Sequence, residues 1–373
     1  MGGSESYLRG LLAQFGAGNG PEHVTVLAND QVMSSYDQFA SGPVSLHRVP
    51  EYRPGRTPPL RAAAMIAGHI TPRRLARSLP AGLSLLHFPV TVPLPRTQLP
   101  EVVTLHDVQH HDLPRFFSAP ERALRRLTYD AAARRATVVV TPSEYSRKRI
   151  VEVLAIPAER VEVVPWGIDR DRFNTAASGE DGLLGKLGLD RPYVVYPANL
   201  WPHKNHERLI DALAAVRNRE LQLVLTGRTY GRLEPLLARA RRSGVGERVR
   251  HLGYLEPEAL PAVYRAARAM AFPSLYEGFG TPPLEAMACG CPVASSTRGA
   301  LAEVCGDAVL PFEPDSIESI AAAIEAVGFD DELRDRLRIA GLERAQGFSW
   351  EAAAARHTAI YARVAATSPS SSR

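Results

Sequence analysis

Two glutamates, Glu277 and Glu285, are separated by seven residues that include a Gly-Phe-Gly turn and two prolines. The apolar run before Glu277 predicts a buried strand, and the stretch around Glu285 predicts a short helix that starts at a proline and ends at Gly290. A glycine turn and a helix start present backbone N–H groups and a positive dipole end, which favour a phosphate or a sugar oxygen. The spacing therefore predicts an anion-binding site flanked by two carboxylates. Two solvated surface glutamates are the alternative interpretation.

A second informative stretch, Asn199–His206 (NLWPHKNH), follows the predicted strand at residues 193–197. Its lysine, Lys204, precedes Asn205, which can cap the next helix. A lysine at that point neutralises a diphosphate as a point charge. The chain contains only three lysines, so the use of one there is informative. An exposed lysine without a function is the alternative interpretation.

The segment from Glu277 to Glu285, with the strand CPVASS at residues 291–296, resembles the E-x7-E motif of the retaining GT-B glycosyltransferases of family 4. The resemblance extends over nearly the whole chain. It implies an α/β fold of the GT-B type, in which two Rossmann-like parallel-sheet domains face a central cleft. The acceptor is then expected on the N-terminal domain, and a nucleotide sugar on the C-terminal domain.

The resemblance also implies a role for each candidate residue. Glu277 contacts sugar hydroxyls, Glu285 contacts the ribose, and Lys204 stabilises the departing diphosphate. His106 faces the donor sugar, and the first glycine pair resembles a loop beside the donor phosphate or the acceptor. The expected catalytic residues are His106, Lys204 and Glu277, and the expected donor-binding residues are Gly2, Gly3, Asn199, Lys204, Arg228, Glu277, Gly278, Phe279, Gly280, Thr281 and Glu285.

The chain departs from the family pattern in two places. The family carries an arginine five residues before the lysine, but this position is Asn199, which has no charge. Arg228, after the next predicted strand, is our hypothesis for the compensating cation. The family also places a hydrophobic strand before the glycine pair, and no such strand precedes Gly2 here. This favours a start downstream of the natural one. Ser4 is the predicted cap of the helix that follows.

The rest of the chain alternates short β-branched runs with longer Ala, Leu and Arg-rich stretches, which predicts parallel sheets covered by helices. We expect an N-terminal domain over residues 1–175, a C-terminal domain over 176–350, a last helix over 351–365 that crosses back to the N-terminal domain, and a disordered tail over 366–373. The predicted strands are residues 24–28, 45–49, 84–88, 102–106, 137–141, 161–165, 193–197, 221–226, 249–252, 269–272, 292–295 and 308–310.

Three histidines, His106, His110 and His111, lie near the carboxyl end of a predicted strand, where open α/β sheets bind ligands. A zinc site that also uses Asp107 and Asp112 is one interpretation. Their spacing fits no compact ligand set, so we expect no metal. The acids of the Asp-Arg-Asp stretch at 169–171 look like a D-x-D metal motif, but they lie just before the predicted interdomain linker, as in family 4 proteins. We therefore predict neither a metal nor a cofactor, with the nucleotide sugar as substrate.

Composition limits the protein class further. The 373 residues suggest two domains, and the 45% hydrophobic and 23% charged content is ordinary for a globular protein. No apolar run approaches the roughly 18 residues that span a bilayer, and the start lacks a hydrophobic signal. Three cysteines are too few for a disulfide framework, which favours a reducing cytoplasm.

Basic residues outnumber acidic ones in the N-terminal domain, with 21 Lys and Arg against 16 Asp and Glu over residues 1–175. Such an excess can meet polyphosphates or anionic lipids. No nucleic-acid-binding motif accompanies it, so we predict no nucleic-acid partner. The segment Arg61–Leu79 has the composition of an amphipathic membrane-contacting helix, although Pro72 interrupts it. Peripheral contact with the cytoplasmic membrane face is therefore a minority hypothesis.

The function that the resemblance implies is retaining, metal-independent transfer of a hexose to a glycan, lipid-linked or natural-product acceptor. GDP-mannose is the favoured donor, because YPANLWPHKNH looks like a subgroup rich in mannosyltransferases, and UDP- or dTDP-sugars stay open. A GT-B sugar-nucleotide epimerase and a non-catalytic partner subunit are rivals. Asn199 and the absent first strand support the second rival, whereas Lys204, Glu277 and Glu285 argue against it.

Overall fold

The computed structural model describes residues 3–49, 78–90, 98–176, 180–256 and 258–366. The chain forms two compact units. The first unit contains residues 1–167 and 349–373, and the second contains residues 168–348. Each combines parallel strands with helices that cover them.

The described residues of the first unit form two parallel sheets. In one sheet, β1 (Val24–Ala28) pairs with β2 (Val44–Arg48). The other has the order β3–β4–β5–β6, and its strands are Leu86–Phe88, Glu101–Thr104, Val138–Thr141 and Val161–Val163. All residues of β4 and β5 are buried, as expected for strands covered on both faces.

The described helices of the first unit up to residue 154 are α1 (Gly3–Gly16), α2 (Gln109–Asp112), α3 (Ala119–Arg125), α4 (Ala131–Arg135) and α5 (Glu144–Leu154). A π-helical turn, Arg126–Asp130, joins α3 to α4. α3 begins with a capping box in which Ser118 and Glu121 each accept the other's backbone N–H. The hydrophobic core packs α4 and α5 against β3, β4 and β5.

The second unit contains one parallel sheet with the order β12–β11–β10–β7–β8–β9. The chain runs outward from β7 to β9 and then returns to the other side of β7 for β10. Because the strand order reverses there, ligands of such sheets bind outside the carboxyl ends of β7 and β10. The strands β7 to β12 are Tyr193–Pro197, Gln222–Thr226, Val249–His251, Ala269–Phe272, Val293–Ser296 and Leu310–Phe312.

Eight helices cover this sheet among the described residues. They are α6 (Asp181–Lys186), α7 (His206–Ala215), α8 (Leu233–Arg242), α9 (Leu260–Ala266), α10 (Thr281–Ala288), α11 (Leu301–Cys305), α12 (Ile317–Phe329) and α13 (Asp331–Gln346). Each strand of the sheet up to β10 is followed by a helix, and this alternation produces the parallel pairing. None of the described helices combines the length and apolarity that spanning a bilayer requires.

All twelve predicted strands are present, three of them with the predicted bounds: Val24–Ala28, Tyr193–Pro197 and Ala269–Phe272. The prediction for the first helix was wrong in its start. α1 begins at Gly3, so Ser4 lies inside the helix and does not cap it. A Cβ on Gly3 would lie 3.3 Å from the Trp166 ring, so glycine lets the first turn approach this ring closely. Gly2 lies outside the described residues.

The contacts divide the chain after Gly167, before the boundary that we predicted after residue 175. Residues 349–373 group with the first unit, where the last helix, α14 (Trp350–Ala366), packs against α1. Ala366, which we assigned to the tail, belongs to this helix. Most of the predicted membrane segment (residues 61–77), part of the predicted linker (177–179) and the rest of the tail (367–373) lie outside the described residues.

Candidate active site

Lys204 and Glu277 form an ion pair where the strand order of the second sheet reverses. Lys204 lies on the loop after β7, and Glu277 lies on the loop after β10. Lys204 Nζ is 2.5 Å from Glu277 Oε1, and the two side chains are only 18% and 13% exposed. The structure thus brings together two of the three predicted catalytic residues at the edge of the sheet where ligands bind.

Hydrogen bonds from neighbouring elements hold the Lys204 loop in place. The Tyr196 hydroxyl donates to the Lys204 carbonyl at 2.7 Å. The Asn205 amide donates to the carbonyls of Pro273 at 3.1 Å and Pro314 at 2.8 Å. Asn205 occupies the N-cap position of α7, but its side chain makes no capping hydrogen bond, so the predicted capping role was wrong. Its φ of +61° turns the amide towards these two loops instead.

Two glycines fix the backbone around Glu277. Gly280 has φ +100°, and a Cβ there would lie 2.6 Å from the Leu301 side chain. α10 starts at the next residue, Thr281. Gly299 has φ +66°, and a Cβ there would lie 2.6 Å from the Glu277 carbonyl oxygen. Larger residues at either position would displace the loop that carries Glu277.

The predicted anion site corresponds to this loop and the first residue of α10. The Phe279 side chain is buried, and its ring packs edge-on against Phe348 with centroids 5.7 Å apart. This contact anchors the turn inside the second unit. The four residues that we predicted for the anion site, Gly278, Phe279, Gly280 and Thr281, therefore form an anchored turn that leads into a helix N-terminus.

Glu285 lies on α10 and differs from Glu277 in its electrostatic environment. Burial raises the pKa of Glu285 to about 7. The Tyr264 hydroxyl, 3.3 Å from Oε2, and the Arg172 guanidinium oppose this shift, whereas Asp169 adds to it. Glu285 therefore changes its charge near neutral pH.

The Asp-Arg-Asp stretch lines a separate open hollow of about 440 Å³ on the second unit. The Asp169 carboxylate accepts the Arg172 backbone N–H at 3.2 Å, so this acid shapes a turn of its own chain segment. Lys204 and both glutamates of the motif are absent from the lining, so we do not assign the predicted donor site to this hollow. Its lining residues are Asp169, Asp171, Arg172, Glu258, Pro261 and Arg265.

Asn199, which replaces the expected arginine, connects the loops after β7 and β8. Its side-chain oxygen accepts the Arg228 backbone N–H at 2.8 Å, and the Leu200 N–H donates to the Arg228 carbonyl at 3.0 Å. The Arg228 guanidinium lies over the Tyr254 ring, 5.0 Å from its centre. The two predicted donor-binding residues are therefore neighbours, with Asn199 holding the backbone of the loop that carries the cation.

In the first unit, His106 follows β4 and packs against two aromatic rings, Tyr7 and Trp166, which stack on each other with centroids 5.6 Å apart. Tyr7 and Trp166 contact it edge-on, with centroids 5.4 Å and 5.2 Å away. Burial lowers the pKa of His106 to about 4, and the backbone of Pro89 opposes this shift. Neither ring nitrogen makes a hydrogen bond of ordinary geometry to a described residue. At neutral pH the ring is therefore an uncharged hydrogen-bonding group.

A buried hydrogen-bond network supports the wall beside His106. The Tyr7 hydroxyl bonds Thr104 Oγ1 at 2.9 Å and His357 Nε2 at 2.7 Å. Thr104 Oγ1 also bonds His87 Nε2 at 2.8 Å, and the Tyr361 hydroxyl bonds His87 Nδ1 at 2.6 Å. α1, β3, β4 and α14 each contribute to the network, so it joins both ends of the first unit's chain.

Two family models match this chain. The model described as Glycosyltransferase Family 4 matches residues 1–172, and the model described as Glycosyl transferases group 1 matches residues 185–344. O-antigen chain mannosyltransferase B of Escherichia coli is 31% identical over 287 residues, which cover 75% of this chain and 74% of that protein. The chain belongs to glycosyltransferase family 4.

A further relative of this family 4 glycosyltransferase is the MMP alpha-(1->4)-mannosyltransferase of Mycolicibacterium hassiacum. It is 34% identical over 248 residues, which cover 63% of this chain and 57% of the relative. Among solved structures, Anabaena HepE in complex with UDP and glucose has a TM-score of 0.73 at 22% identity, over 97% of this chain and 96% of HepE. WaaG, a glycosyltransferase involved in lipopolysaccharide biosynthesis, has a TM-score of 0.72 at 19% identity, over 97% and 96% of the chains. The fold is GT-B, with two Rossmann-like parallel-sheet domains.

Sequence reasoning missed several contacts within each unit of this glycosyltransferase. Tyr7 stood out only as part of an apolar helix face, and its hydroxyl partners lie far away in the sequence. Trp201 and Tyr230 form an edge-to-face pair with centroids 5.3 Å apart, although they are 41% and 58% exposed. No local pattern marks Trp201 and Tyr230, because they lie on the separate loops after β7 and β8, which come together only when the sheet has formed.

Proposed function

We propose that this glycosyltransferase transfers a hexose with retention of configuration, from GDP-mannose in first place, to a glycan, lipid-linked or small-molecule acceptor. The observation that carries the proposal is the part-buried Lys204–Glu277 pair at the carboxyl ends of β7 and β10. The names of the relatives from Escherichia coli and Mycolicibacterium hassiacum support mannose as the sugar. UDP- and dTDP-sugars are the alternative donors.

In the proposed reaction, the bond between the anomeric carbon and the diphosphate oxygen breaks as the acceptor oxygen attacks the same face of the sugar. The acceptor proton passes to the departing diphosphate. Lys204 leaves Glu277 and pairs with the diphosphate, which frees the Glu277 carboxylate to accept hydrogen bonds from sugar hydroxyls. The N–H groups of the turn at residues 278–281 stabilise the same developing negative charge. No metal takes part in this step.

We assign no covalent nucleophile. A double displacement requires two carboxyl groups about 5 Å apart on either side of the reacting bond, as in retaining glycosidases. In our proposal Glu277 binds the sugar and Glu285 binds the ribose, so neither is available for attack on the anomeric carbon. His106 contributes a neutral imidazole from the first unit, because its pKa is about 4. A covalent sugar adduct on Glu277 would contradict this mechanism.

The test is a thermal-shift screen with GDP-mannose, UDP-glucose, UDP-N-acetylglucosamine and dTDP-sugars. A ligand at about 100 times its Kd adds about 2.7 kcal/mol of stability. We expect one nucleotide sugar to stabilise the protein, and Lys204→Ala to lose this effect. Lys186→Ala is the matched control, because Lys186 is an exposed lysine in the same unit. An equal shift in both variants, or none in the wild type, would contradict the proposal.

The products distinguish the rival functions. The anomeric configuration of the transferred sugar, read by NMR, tests retention directly. Conversion of a nucleotide sugar without any acceptor would favour an epimerase, and binding without turnover would favour a non-catalytic subunit.

We further propose that the enzyme works in the cytoplasm, with membrane contact through its basic first unit as the minority hypothesis. Failure to co-sediment with anionic vesicles would remove that hypothesis.

A further inference from the structure

His110, His111 and Asp130 meet at one point of the first unit. The two histidines lie on α2, just after His106, and Asp130 ends the π-helical turn between α3 and α4. His110 Nε2 is 2.9 Å from Asp130 Oδ1, and His111 Nε2 is 2.7 Å from Asp130 Oδ2. π-helical turns are rare and occur often at functional sites.

The acids that the sequence suggested as ligands lie elsewhere. Asp107 Oδ1 accepts the Gln109 backbone N–H at 2.9 Å. Asp112 accepts three hydrogen bonds from Arg149, the shortest at 2.6 Å. Asp130, which the sequence analysis did not consider, takes their place beside the histidines.

The charge of Asp130 requires compensation. Its side chain is 1% exposed, and the His110 and His111 side chains are 0% and 16% exposed. Among the described residues, no lysine or arginine pairs with it. A buried carboxylate is costly unless a cation or hydrogen bonds compensate for it, so a bound metal ion would stabilise this group.

We propose that His110, His111 and Asp130 bind a divalent transition-metal ion, with zinc as the best match. One ligand atom from each residue lies within 4.8 Å of the other two. Two ligand atoms on one tetrahedral zinc ion lie roughly 3.4 Å apart, since each is about 2.0–2.2 Å from the metal. The separations of up to 4.8 Å would shorten by as much as about 1.4 Å to reach that spacing. Two imidazoles and a carboxylate form a donor set that zinc accepts.

The surroundings set the expected affinity. A histidine that binds through Nε2 carries its proton on Nδ1, and tight sites give that proton an acceptor. His110 Nδ1 is buried and makes no hydrogen bond to any described residue. Loss of such a partner typically costs roughly 10–100-fold in affinity. We therefore expect weaker binding than in a zinc site whose histidines are all supported, with access from the side of His111.

The ion would be structural in this protein. It would tie α2, which directly follows the loop of His106 and Asp107, to the turn that enters α4. It would thus hold one end of the segment that carries His106. The inference goes beyond the proposed function and does not depend on it, because no step of the sugar transfer uses the ion.

The test measures binding of zinc ion alone to the tag-free chain, by equilibrium dialysis with elemental analysis and by competition with a chromogenic chelator. We expect about one zinc per wild-type chain. We expect His111→Ala and Asp130→Asn to lower the affinity by about tenfold or more. His47→Ala is the matched control, because His47 lies in the same unit and bonds the Ser78 carbonyl instead. Cobalt substitution should give the visible spectrum of a tetrahedral ion in the wild type only.

Absence of zinc binding in the wild type would overturn the proposal. Equal zinc binding in the wild type and both variants would overturn it as well. Asp130→Asn removes a buried charge and can disturb folding, so circular dichroism accompanies each measurement. His111→Ala, at the part-exposed member, provides the test if Asp130→Asn does not fold. The thermal-shift screen measures donor binding and not zinc binding, so the two proposals can fail separately.

Discussion

The candidate site groups are charged in the second unit and uncharged in the first. In the second unit, Lys204 and Glu277 are opposite charges 2.5 Å apart, on loops that follow neighbouring strands. In the first unit, His106 is an uncharged ring that packs edge-on against Tyr7 and Trp166. The charged pair already neutralises itself, so an anionic ligand must compete with Glu277 for Lys204. The neutral ring needs no such exchange.

The difference shows how each kind of site is built. The loops after β7 and β10 border one crevice at the point where the strand order reverses, so two short motifs suffice for the charged pair. The wall of His106 instead needs residues far apart in the chain: Tyr7 bonds His357, 350 positions away. We expect substitutions in the second unit to change chemistry, and substitutions in the first to change stability first.

The largest expected effect is on the charged pair. Lys204→Ala removes the cation that we assign to the departing diphosphate, and loss of one such contact typically costs about 10²–10³ in kcat. Steady-state kinetics with the donor found in the screen measures this. Lys186→Ala should retain wild-type kcat. A Lys204→Ala enzyme with normal kcat and a lowered Tm would mean that the pair serves only stability.

The next effect tests the network in the first unit. Tyr7→Phe removes the hydroxyl that bonds Thr104 and His357, and leaves buried polar groups without a partner. Such a loss typically costs about 1–3 kcal/mol. We expect a lower Tm, and faster hydrogen exchange in α1 and α14 than in the second unit.

Tyr36→Phe is the control for this substitution, because Tyr36 is only partly buried in the same unit. A Tyr7→Phe protein as stable as the wild type would show that the network does not hold α14 in place. A loss of stability confined to the second unit would contradict the division between the two regions.

The third effect depends on pH and concerns Glu285. A carboxyl whose pKa is raised in the folded state stabilises the protein fully below its unfolded pKa, and this contribution is lost as pH rises through the folded pKa. For Glu285 this window runs from the ordinary value of 4.5 to about 7. We therefore expect Glu285→Gln to raise the Tm at pH 8 and to change it little at pH 5. Glu234→Gln, at a 75% exposed side chain, should show no such dependence.

Donor affinity should rise with pH, whereas the contribution of Glu285 to stability falls. If the ionised Glu285 accepts a ribose hydroxyl, its ionised fraction rises about tenfold between pH 6 and pH 8 around a pKa of about 7. Donor Kd should fall by about that factor in the wild type and stay constant in Glu285→Gln. A flat profile in the wild type would separate Glu285 from donor binding.

The smallest effect concerns the substitute for the family arginine. Arg228 is exposed, and exposed charge contacts typically contribute about 0.2–1 kcal/mol, so Arg228→Ala should raise the donor KM only about two- to fivefold. Arg232→Ala removes a neighbouring exposed arginine and is the control. If the two variants have the same KM as the wild type, Arg228 does not compensate for Asn199.

Much of the fold was predictable because it depends on local patterns. Short β-branched runs predicted all twelve strands, and the Gly-Phe-Gly turn predicted the strand-to-helix transition before α10. Two local assignments failed at Ser4 and Asn205, since helix starts and caps are choices between conformations of similar energy. Packing against Trp166 and hydrogen bonds to Pro273 and Pro314 decided them.

The amino-acid sequence by itself determined the alternation of strands and helices, the glycine turn, and the presence of a rare lysine and two acids near predicted strand ends. Each of these features spans only a few residues, so the local spacing of residue types is enough to predict it. Only the tertiary structure decided which groups meet: Lys204 with Glu277, Asn199 with the backbone of Arg228, and Asp130 with two histidines. Such meetings depend on strand order and on burial, because a buried polar group must find its partner wherever the chain places one.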